Sequence, residues 1–388
     1  MDGLRKRADR WYAIVDFPRH PDGRRNRKEI ALGSVGKRKA QKLRAEIVAK
    51  IESGNAVEPA KVTFGGYLTN EWLPLKKQQV SPKTFERYAE IVRTRLVPRL
   101  GGIPLQRLTE SHLTAAYRDW HNGAEGRRIS ALTIAHIHRI VAQALKRAVR
   151  LKYVATNVAD FAAEDLPQIE KTEAAALTEE QSIALQDASK GTRLEAPILF
   201  AIDTGCRRGE VLALRWEDVD LDGSFAVVRR SLETTKERGL RFKDTKTGRV
   251  RVVALDEETV VALRRYRAKQ NERRLLLGPA YADGDLVFCN DDGTPWHPDY
   301  FGKAFSRLIA TLSGFPKVSL HGLRHTTATT MLRNGVPAKV VAERLGHSTT
   351  RLTTDRYQHV LAGMDAEAAR KAGDARRAAR ARMTAAKA

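Results

Sequence analysis

Cysteine is almost absent: Cys206 and Cys289 are the only two in 388 residues. One pair cannot make the multi-bridge framework of a small secreted domain, and neither residue has partners at zinc-ligand spacing. Long hydrophobic runs are missing too. The best, Ala196–Ile202, falls far short of the roughly 18 residues a membrane span needs. Residues 1–30 are charged and lack the apolar core of a secretory leader, which points to the cytoplasm. No G-x-x-x-x-G-K-[ST] loop occurs, and Gly33–Lys39 (GSVGKRK) has the wrong spacing for one. Asp291 and Asp292 form no recognisable two-metal set, so neither a nucleotide cofactor nor a metal is implied. Acid is also scarce: 46 Asp+Glu face 69 Lys+Arg, a formal charge of +23.

What is present is enough apolar material for real cores, 42% of residues, under a positive charge spread along the whole chain. Residues 1–61 carry 16 basic and 8 acidic side chains, residues 62–170 carry 16 and 10, and residues 171–388 carry 37 and 28. A soluble domain ordinarily carries a net charge of about 2–8 in magnitude. An excess repeated in every region is the pattern expected where several modules touch one long phosphate track, so the partner read from charge is nucleic acid.

The length suggests two or three domains. Trp11–Phe17 and Lys28–Val35 read as strands joined through a Pro21-Asp22-Gly23 turn, followed by a helix over Lys37–Ile51 with Ala40, Leu43, Ile47 and Ile51 on one face. Arg24, Arg25, Arg27, Lys37, Arg38 and Lys39 crowd this unit, either as a DNA-reading surface or as solvated charge. Ser53-Gly54-Asn55 and Pro59 mark a linker, and residues 62–160 read as all-helical. Ser81-Pro82 opens a helix whose stripe of Phe85, Tyr88, Val92 and Leu96 runs to Pro98, with Lys83 and Arg87 one turn apart off the stripe. A later helix places Ile134, Ile137, Val141, Leu145 and Ala148 on one face and Lys146, Arg147 and Arg150 elsewhere. Residues 160–176 turn acidic and Ala-rich, as an interdomain linker would. Beyond Leu177 the pattern is mixed, with helices expected at 178–190, 194–203, 207–215, 256–275, 298–313, 321–334 and 337–345. Strands are expected at Phe225–Ser231, Arg249–Leu255 and Leu286–Cys289. Residues 365–388 are rich in Ala and Arg. The fold class is therefore multidomain, mainly α with small β-sheets.

Three segments of the last region put cationic and imidazole groups where helices begin or end. In Thr204-Gly205-Cys206-Arg207-Arg208-Gly209-Glu210, Arg207 and Glu210 lie three apart, as a surface ion pair or as a phosphate-holding arginine with its partner. In His321-Gly322-Leu323-Arg324-His325, His321 and Arg324 share the first turn of a helix. In Leu345-Gly346-His347, a helix stops at glycine and presents a histidine. Tyr357 follows ten residues later. Alone, such a tyrosine is far more often core or surface than nucleophile, and the weight lies in the set.

As a set these residues resemble the tyrosine recombinase (phage integrase) family: Arg207 in TGCRRGE, His321 and Arg324 in HGLRH, His347 in LGH, and Tyr357 downstream, in the order of an Arg…Lys…His-x-x-Arg…His…Tyr signature. The family's lysine sits on a β-hairpin ahead of the HxxR. Lys246 fits through its Lys-Thr-Gly turn, and Lys243 is its competitor. The resemblance implies an N-terminal ββ(β)α arm-binding module over 1–57, an all-helical, SAM-like core-binding domain over 62–160 and a linker over 161–176. A mixed α/β catalytic domain over 177–365 and a basic tail over 366–388 complete the layout. It implies a site-specific DNA recombinase that cleaves through a 3′-phosphotyrosine on Tyr357 and a Holliday junction, integrating or excising a phage genome or mobile element. Arg207 and Arg324 would bind the phosphate, and His321 would assist deprotonation. His347 would hydrogen-bond the phosphate, Lys246 would protonate the 5′-oxygen, and Glu210 would orient the cations from behind.

The resemblance also implies double-stranded DNA at core and arm sites as partner, contacted through Arg24, Arg25, Lys37, Arg38, Lys39, Lys83, Arg87 and Arg147. A homotetramer on two duplexes is implied, with a host DNA-bending protein and a directionality factor as further candidate partners. The setting would be a bacterial cytoplasm, with no cofactor, metal, ATP or membrane. A type IB topoisomerase would share the chemistry, but the arm-like first module argues for a recombinase.

Overall fold

The computed structural model describes residues 3–18, 23–52, 62–124, 126, 128–170, 175–245, 248, 250–347, 349–356, 370 and 376–378. The chain divides into two compact units between Lys171 and Thr172.

In the first unit, β1 (Leu4–Arg7), β2 (Arg10–Phe17) and β3 (Asn26–Gly33) form an antiparallel sheet in that order, followed by helix α1 (Lys37–Glu52). Alternation decides which face of the sheet is covered. Ala13, Val15 and Phe17 are buried on one side of β2, and Ile47, Val48 and Ile51 of α1 pack against them. Strand β1, LRKR, shows no apolar alternation, which is why the sequence offers no sign of it. Its cations suit an edge strand that must not pair with another chain.

The helical part runs through α2 (Phe64–Tyr67), α3 (Leu73–Gln79), α4 (Pro82–Ile91), α5 (Val97–Leu100), α6 (Glu110–Asn122), α7 (Ala131–Arg150) and α8 (Val158–Phe161). Its core gathers Phe64, Trp72, Leu96, Tyr117, Trp120 and the Ile134–Ala148 stripe of α7, and Tyr67 donates its hydroxyl to the Ala144 carbonyl at 2.9 Å. Ala162 and Leu166, at the start of the acidic stretch, pack on the same core. The helix opened by Ser81 does not stop at Pro98, as the sequence suggested. It passes through a π-helical turn, Val92–Leu96, and continues as α5 to Leu100. A second π turn, Leu68–Trp72, precedes Pro74 in the same way. Proline lacks the N–H and would press on the carbonyl four residues back. Widening the turn just ahead of it removes that clash without breaking the rod.

The second unit holds α9 (Glu179–Ser189), α10 (Glu195–Thr204), α11 (Arg208–Val211), β4 (Val219–Asp220), β5 (Phe225–Val228), β6 (Arg230–Thr235), β7 (Gly239–Asp244) and β8 (Arg251–Ala254). Helices α12 (Glu257–Leu277), α13 (Pro298–Ala310), α14 (Leu320–Arg333), α15 (Ala338–Leu345) and α16 (Arg351–Arg356) follow. Strands β4, β5 and β8 make one sheet, and β6 and β7 a separate hairpin. Three expectations are corrected here. The helix expected over 207–215 is only α11, four residues long, because Leu212, Ala213 and Leu214 turn into the core instead. The strand expected over 225–231 is two strands in different sheets, broken at Arg229. There Arg229 and Arg230 both bind the buried Asp218, at 2.7 and 2.8 Å. Leu286–Cys289 is no strand but a buried run touching others through isolated bridges, Arg215 with Leu286 and Cys289 with Pro295.

One side chain of α12 ties this run to its neighbours. Gln270 donates Nε2 to the Leu286 carbonyl at 2.8 Å and to Cys289 Sγ at 2.9 Å, while its Oε1 accepts from Trp216 Nε1 at 2.7 Å. Replacing Gln270 with Leu strands these buried groups, so urea unfolding should show a loss of about 1–3 kcal/mol.

Candidate active site

Two glycines that end helices supply the frame. Helix α10 stops at Gly205, whose φ of +62° lies in the left-handed region. A Cβ there would sit 2.4 Å from Leu345 Cδ2, so the turn requires glycine twice over. Its carbonyl accepts from Arg324 Nη1 at 2.9 Å. Helix α15 stops at Gly346, φ +66°, where the N–H groups of Gly346 and His347 return to the Glu343 and Ala342 carbonyls. The Gly346 carbonyl accepts from Arg207 Nη2 at 3.3 Å. Each helix end thus positions one of the two arginines picked from the sequence.

Arg207 opens α11, and Glu210 folds back on it. The carboxylate accepts from the Arg207 backbone N–H at 2.9 Å and from its Nη1 at 2.8 Å. A third arginine, not singled out from the sequence, completes the cluster. Arg251 on β8 donates Nη2 to Glu210 at 2.7 Å and Nε to the Arg344 carbonyl at 2.9 Å, and its Nη2 lies 3.4 Å from Cys206 Sγ. Arg251 and Val253 are two apart on one strand, and Val253 is buried, so an arginine stands on an inward face.

The electrostatics are lopsided. Arg207, Arg251 and Arg324 share one carboxylate, Glu210, which is 2% exposed. Burial alone would raise the Glu210 carboxyl, but the hydrogen bond and charge of Arg251, with the backbone N–H and charge of Arg207, outweigh it and hold it below the usual range. Burial, and then the charge of Arg207, push Arg324 down to about 10. It stays cationic at neutral pH, yet its Nη2 is buried with no hydrogen-bond partner among the described residues. The fully buried Cys206 thiol is raised by desolvation and stays protonated.

The histidines flank this cluster. Ser319 caps α14, leaving His321 exposed in the first turn and Arg324 buried one turn on. The His321 ring meets His325 edge to face, centroids 4.9 Å apart. His321 also borders an open groove of about 780 Å³ with Arg208, Lys303 and Arg307. His347 is fixed through Nδ1 to the Thr353 hydroxyl at 2.7 Å. Tyr357, Lys246 and His359 lie outside the described residues. Lys243 is on β7, ion-paired across the hairpin with Glu233.

The residues expected to touch DNA lie in the first unit. Arg24 and Arg25 are exposed just ahead of β3, with Arg25 bound to Asp16 through two contacts of 2.9 Å. Lys37, Arg38 and Lys39 are exposed on the first turn of α1. On α4, Lys83 lies 3.7 Å from Glu86 and Arg87 lies 3.1 Å from Glu90, while Arg147 of α7 is half-buried. Among the described residues, no group of three His, Cys, Asp or Glu could hold a metal ion, and no helix is long and apolar enough to cross a membrane.

Residues 169–364 match the Phage integrase family, and residues 63–121 match the family described as Phage integrase, N-terminal SAM-like domain. A tyrosine recombinase XerC-like protein of Caldanaerobacter subterraneus subsp. tengcongensis is 28% identical over 376 residues, covering 92% of this chain and 94% of that protein. Among solved structures, the Tn1549 transposon integrase in complex with a circular intermediate DNA superposes with a TM-score of 0.66 at 21% identity, over 76% of this chain and 95% of that one. A lambda integrase tetramer bound to a Holliday junction superposes with a TM-score of 0.56 at 18% identity, over 90% and 96%. At such identities the structural likeness speaks for the fold alone: integrase-like, helix-rich, with small sheets and an N-terminal SAM-like domain. The match to 169–364 spans the whole arginine–histidine cluster and half of the chain, and it settles the family: this chain belongs to the phage integrases, the tyrosine recombinases that break and rejoin DNA.

Proposed function

We propose that this chain is a site-specific integrase that joins itself to DNA through a 3′-phosphotyrosine on Tyr357 and resolves a Holliday junction. The reading is carried by Arg324: a cationic guanidinium with a buried Nη2 that has no partner, beside two further arginines and a single carboxylate. A non-bridging phosphate oxygen supplies the missing acceptor and the missing negative charge together.

Arg207 and Arg324 hold the scissile phosphate and stabilise the charge that builds on it in the pentacoordinate transition state. His347, its ring set by Thr353, donates to the same phosphate, and His321 assists the departure of the Tyr357 proton. Lys246 returns a proton to the 5′-oxygen leaving group. The ion pair with Glu233 commits Lys243 to the hairpin and favours Lys246 for that role. Glu210 and Arg251 orient Arg207. The new phosphotyrosine bond conserves the energy of the broken one, so the reverse attack by a 5′-hydroxyl needs no ATP.

Residues 1–57 then serve as the arm-binding module through Arg24, Arg25, Lys37, Arg38 and Lys39. Residues 62–160 clamp the core site through Lys83, Arg87 and Arg147, residues 161–176 link the two parts, and 177–365 cut and rejoin. The tail 366–388, a host DNA-bending protein and a directionality factor would govern assembly. The transposon origin of one structural relative, and the tetramer on a Holliday junction in the other, favour four protomers on two duplexes acting on a mobile element.

Mapping the covalent bond tests this. Incubation with a nicked core-site duplex, proteolysis and mass spectrometry should place the DNA on Tyr357, linked to a 3′-phosphate. An adduct on another residue, or on a 5′-phosphate, would overturn the reading.

A further inference from the structure

Helix α12 carries a second cationic cluster, remote from the catalytic one. Ala262, Arg265, Tyr266, Lys269 and Arg273 recur at helical spacing and share one side of the rod. That side faces the turn between α9 and α10, which holds Lys190 and Arg193, across a cavity of about 280 Å³. Lys190, Arg193, Arg265, Lys269 and Arg273 therefore line one small space, and Glu195 is the one acid among its lining residues.

Two more carboxylates stand at the edge. Asp187 binds Lys190 at 2.6 Å, and Asp291 is divided between Arg273 at 3.3 Å and Arg193 at 3.7 Å. Glu195 lies 3.8 Å from Arg265, beyond hydrogen-bond reach. Asp187, Glu258 and Glu195 draw the charge of Lys190, and Arg265, Lys269 and Arg273 stand along the α12 side of the cavity, where an incoming anion would meet them. Arg193 is fixed over the Trp296 ring, 5.3 Å from its centroid, and its Nη2, 3.7 Å from Asp291, has no hydrogen-bond partner among the described residues. The Tyr266 hydroxyl, raised to about 12 by burial, keeps its proton and can donate.

We propose that this cavity binds a small phosphate-bearing anion, at a site distinct from the one that cleaves DNA. Helix α10 begins at Glu195 beside the cavity and ends at Thr204, next to the Gly205 turn that seats Arg324. About 15 Å of helix thus separates the two sites. The cavity is near the lower end of ordinary ligand pockets, which suits a phosphate group with a modest substituent and not the backbone of a duplex.

Calorimetric titration with inorganic pyrophosphate tests this in the full chain carrying Arg324→Met, which weakens competing capture by the catalytic arginines. One binding site is expected. Adding Lys269→Ala and Arg273→Ala should weaken it about ten- to a hundredfold, the loss expected for a charge-assisted hydrogen bond. Circular dichroism and the urea midpoint report whether the variant folds, and the exposed Lys269→Ala alone carries the test if the double change does not. A parallel titration with adenosine diphosphate distinguishes the source. Tighter binding than pyrophosphate assigns the site to nucleotides, and equal or weaker binding assigns it to free phosphate anions. Unchanged affinity after removal of the α12 cations overturns the proposal. So does the absence of pyrophosphate binding together with a reduced salt slope for duplex binding in the double variant, because the face is then a DNA-backbone contact.

Discussion

Replacing Arg324 with Met should lower the rate of covalent-complex formation on core-site DNA by about 10²–10³, while the folded protein becomes no less stable. The first half follows from what Arg324 faces. Its Nη1 is spent on the Gly205 carbonyl, and its buried Nη2 awaits an acceptor. Its guanidinium plane is already set by the Gly205 carbonyl, and losing one such donor costs roughly 3–4 kcal/mol of barrier. The second half follows from its electrostatics. Burial and the charge of Arg207 depress Arg324 from 12.5 to about 10, so its charged form is penalised in the native state at neutral pH by roughly 3 kcal/mol. Met fills a similar volume with no charge to desolvate, and such exchanges of buried ions are often neutral or stabilising. Duplex affinity should change only a few-fold, since one phosphate contact among many is lost. Single-turnover cleavage, filter binding and thermal unfolding check the three parts. A fall in unfolding temperature matching the loss of activity would make Arg324 a structural residue and sink the catalytic reading. Arg324→Lys should remain impaired, because an ammonium keeps the charge but cannot span Gly205 and a phosphate oxygen with a planar fork.

The anchors of this site were visible in the sequence because each sits at a helix end, and helix ends have a local grammar. Gly205 and Gly346 mark stops, and the spacing of His321 and Arg324 puts them within one turn of each other. The long helices were legible for the same reason: α9 carries a Thr178–Gln181 capping box and α7 a continuous apolar stripe. What escaped depends on contacts distant in sequence. Strand β1 is short and mostly charged, and on β7 the apolar Leu240 and Phe242 are the exposed residues while Arg241 and Lys243 turn to Glu233, so alternation marks no apolar face. The Leu286–Cys289 run is buried like a strand, but its carbonyl partner is the side chain of Gln270, which no local pattern announces. The rod through Pro98 was missed because a π turn is invisible to a 3.6-residue period. Arg251 was missed because its meaning lies in Glu210, 41 residues earlier in the chain.

That pair carries the largest stability prediction. Glu210 is the one carboxylate among the described residues that hydrogen-bonds these arginines, so Glu210→Gln should destabilise the protein by about 3–5 kcal/mol, the usual consequence of leaving buried charge uncompensated. An amide keeps the shape, but its NH₂ confronts a guanidinium where an oxygen accepted from Arg251 at 2.7 Å or Arg207 at 2.8 Å. The sign of the pH dependence follows from the carboxyl being held below its ordinary value of 4.5 in the folded state. The stabilisation is complete above the unfolded pKa and is lost as pH falls through the folded one, so the gap between wild type and Glu210→Gln in urea melts should be full at neutral pH and shrink in acid. Cleavage should fall as well, because Arg207 loses the clamp on its Nη1. A merely neutralising carboxylate would predict the same for the single variant, and a second change separates the two. Adding Arg251→Met removes the uncompensated cation and should recover most of the stability. Turnover should stay low, since Arg207 still lacks its orienting acceptor. If the double variant regained activity along with stability, Glu210 would serve only to neutralise Arg251. If it regained stability alone, the carboxylate would be shown to place Arg207 against the phosphate.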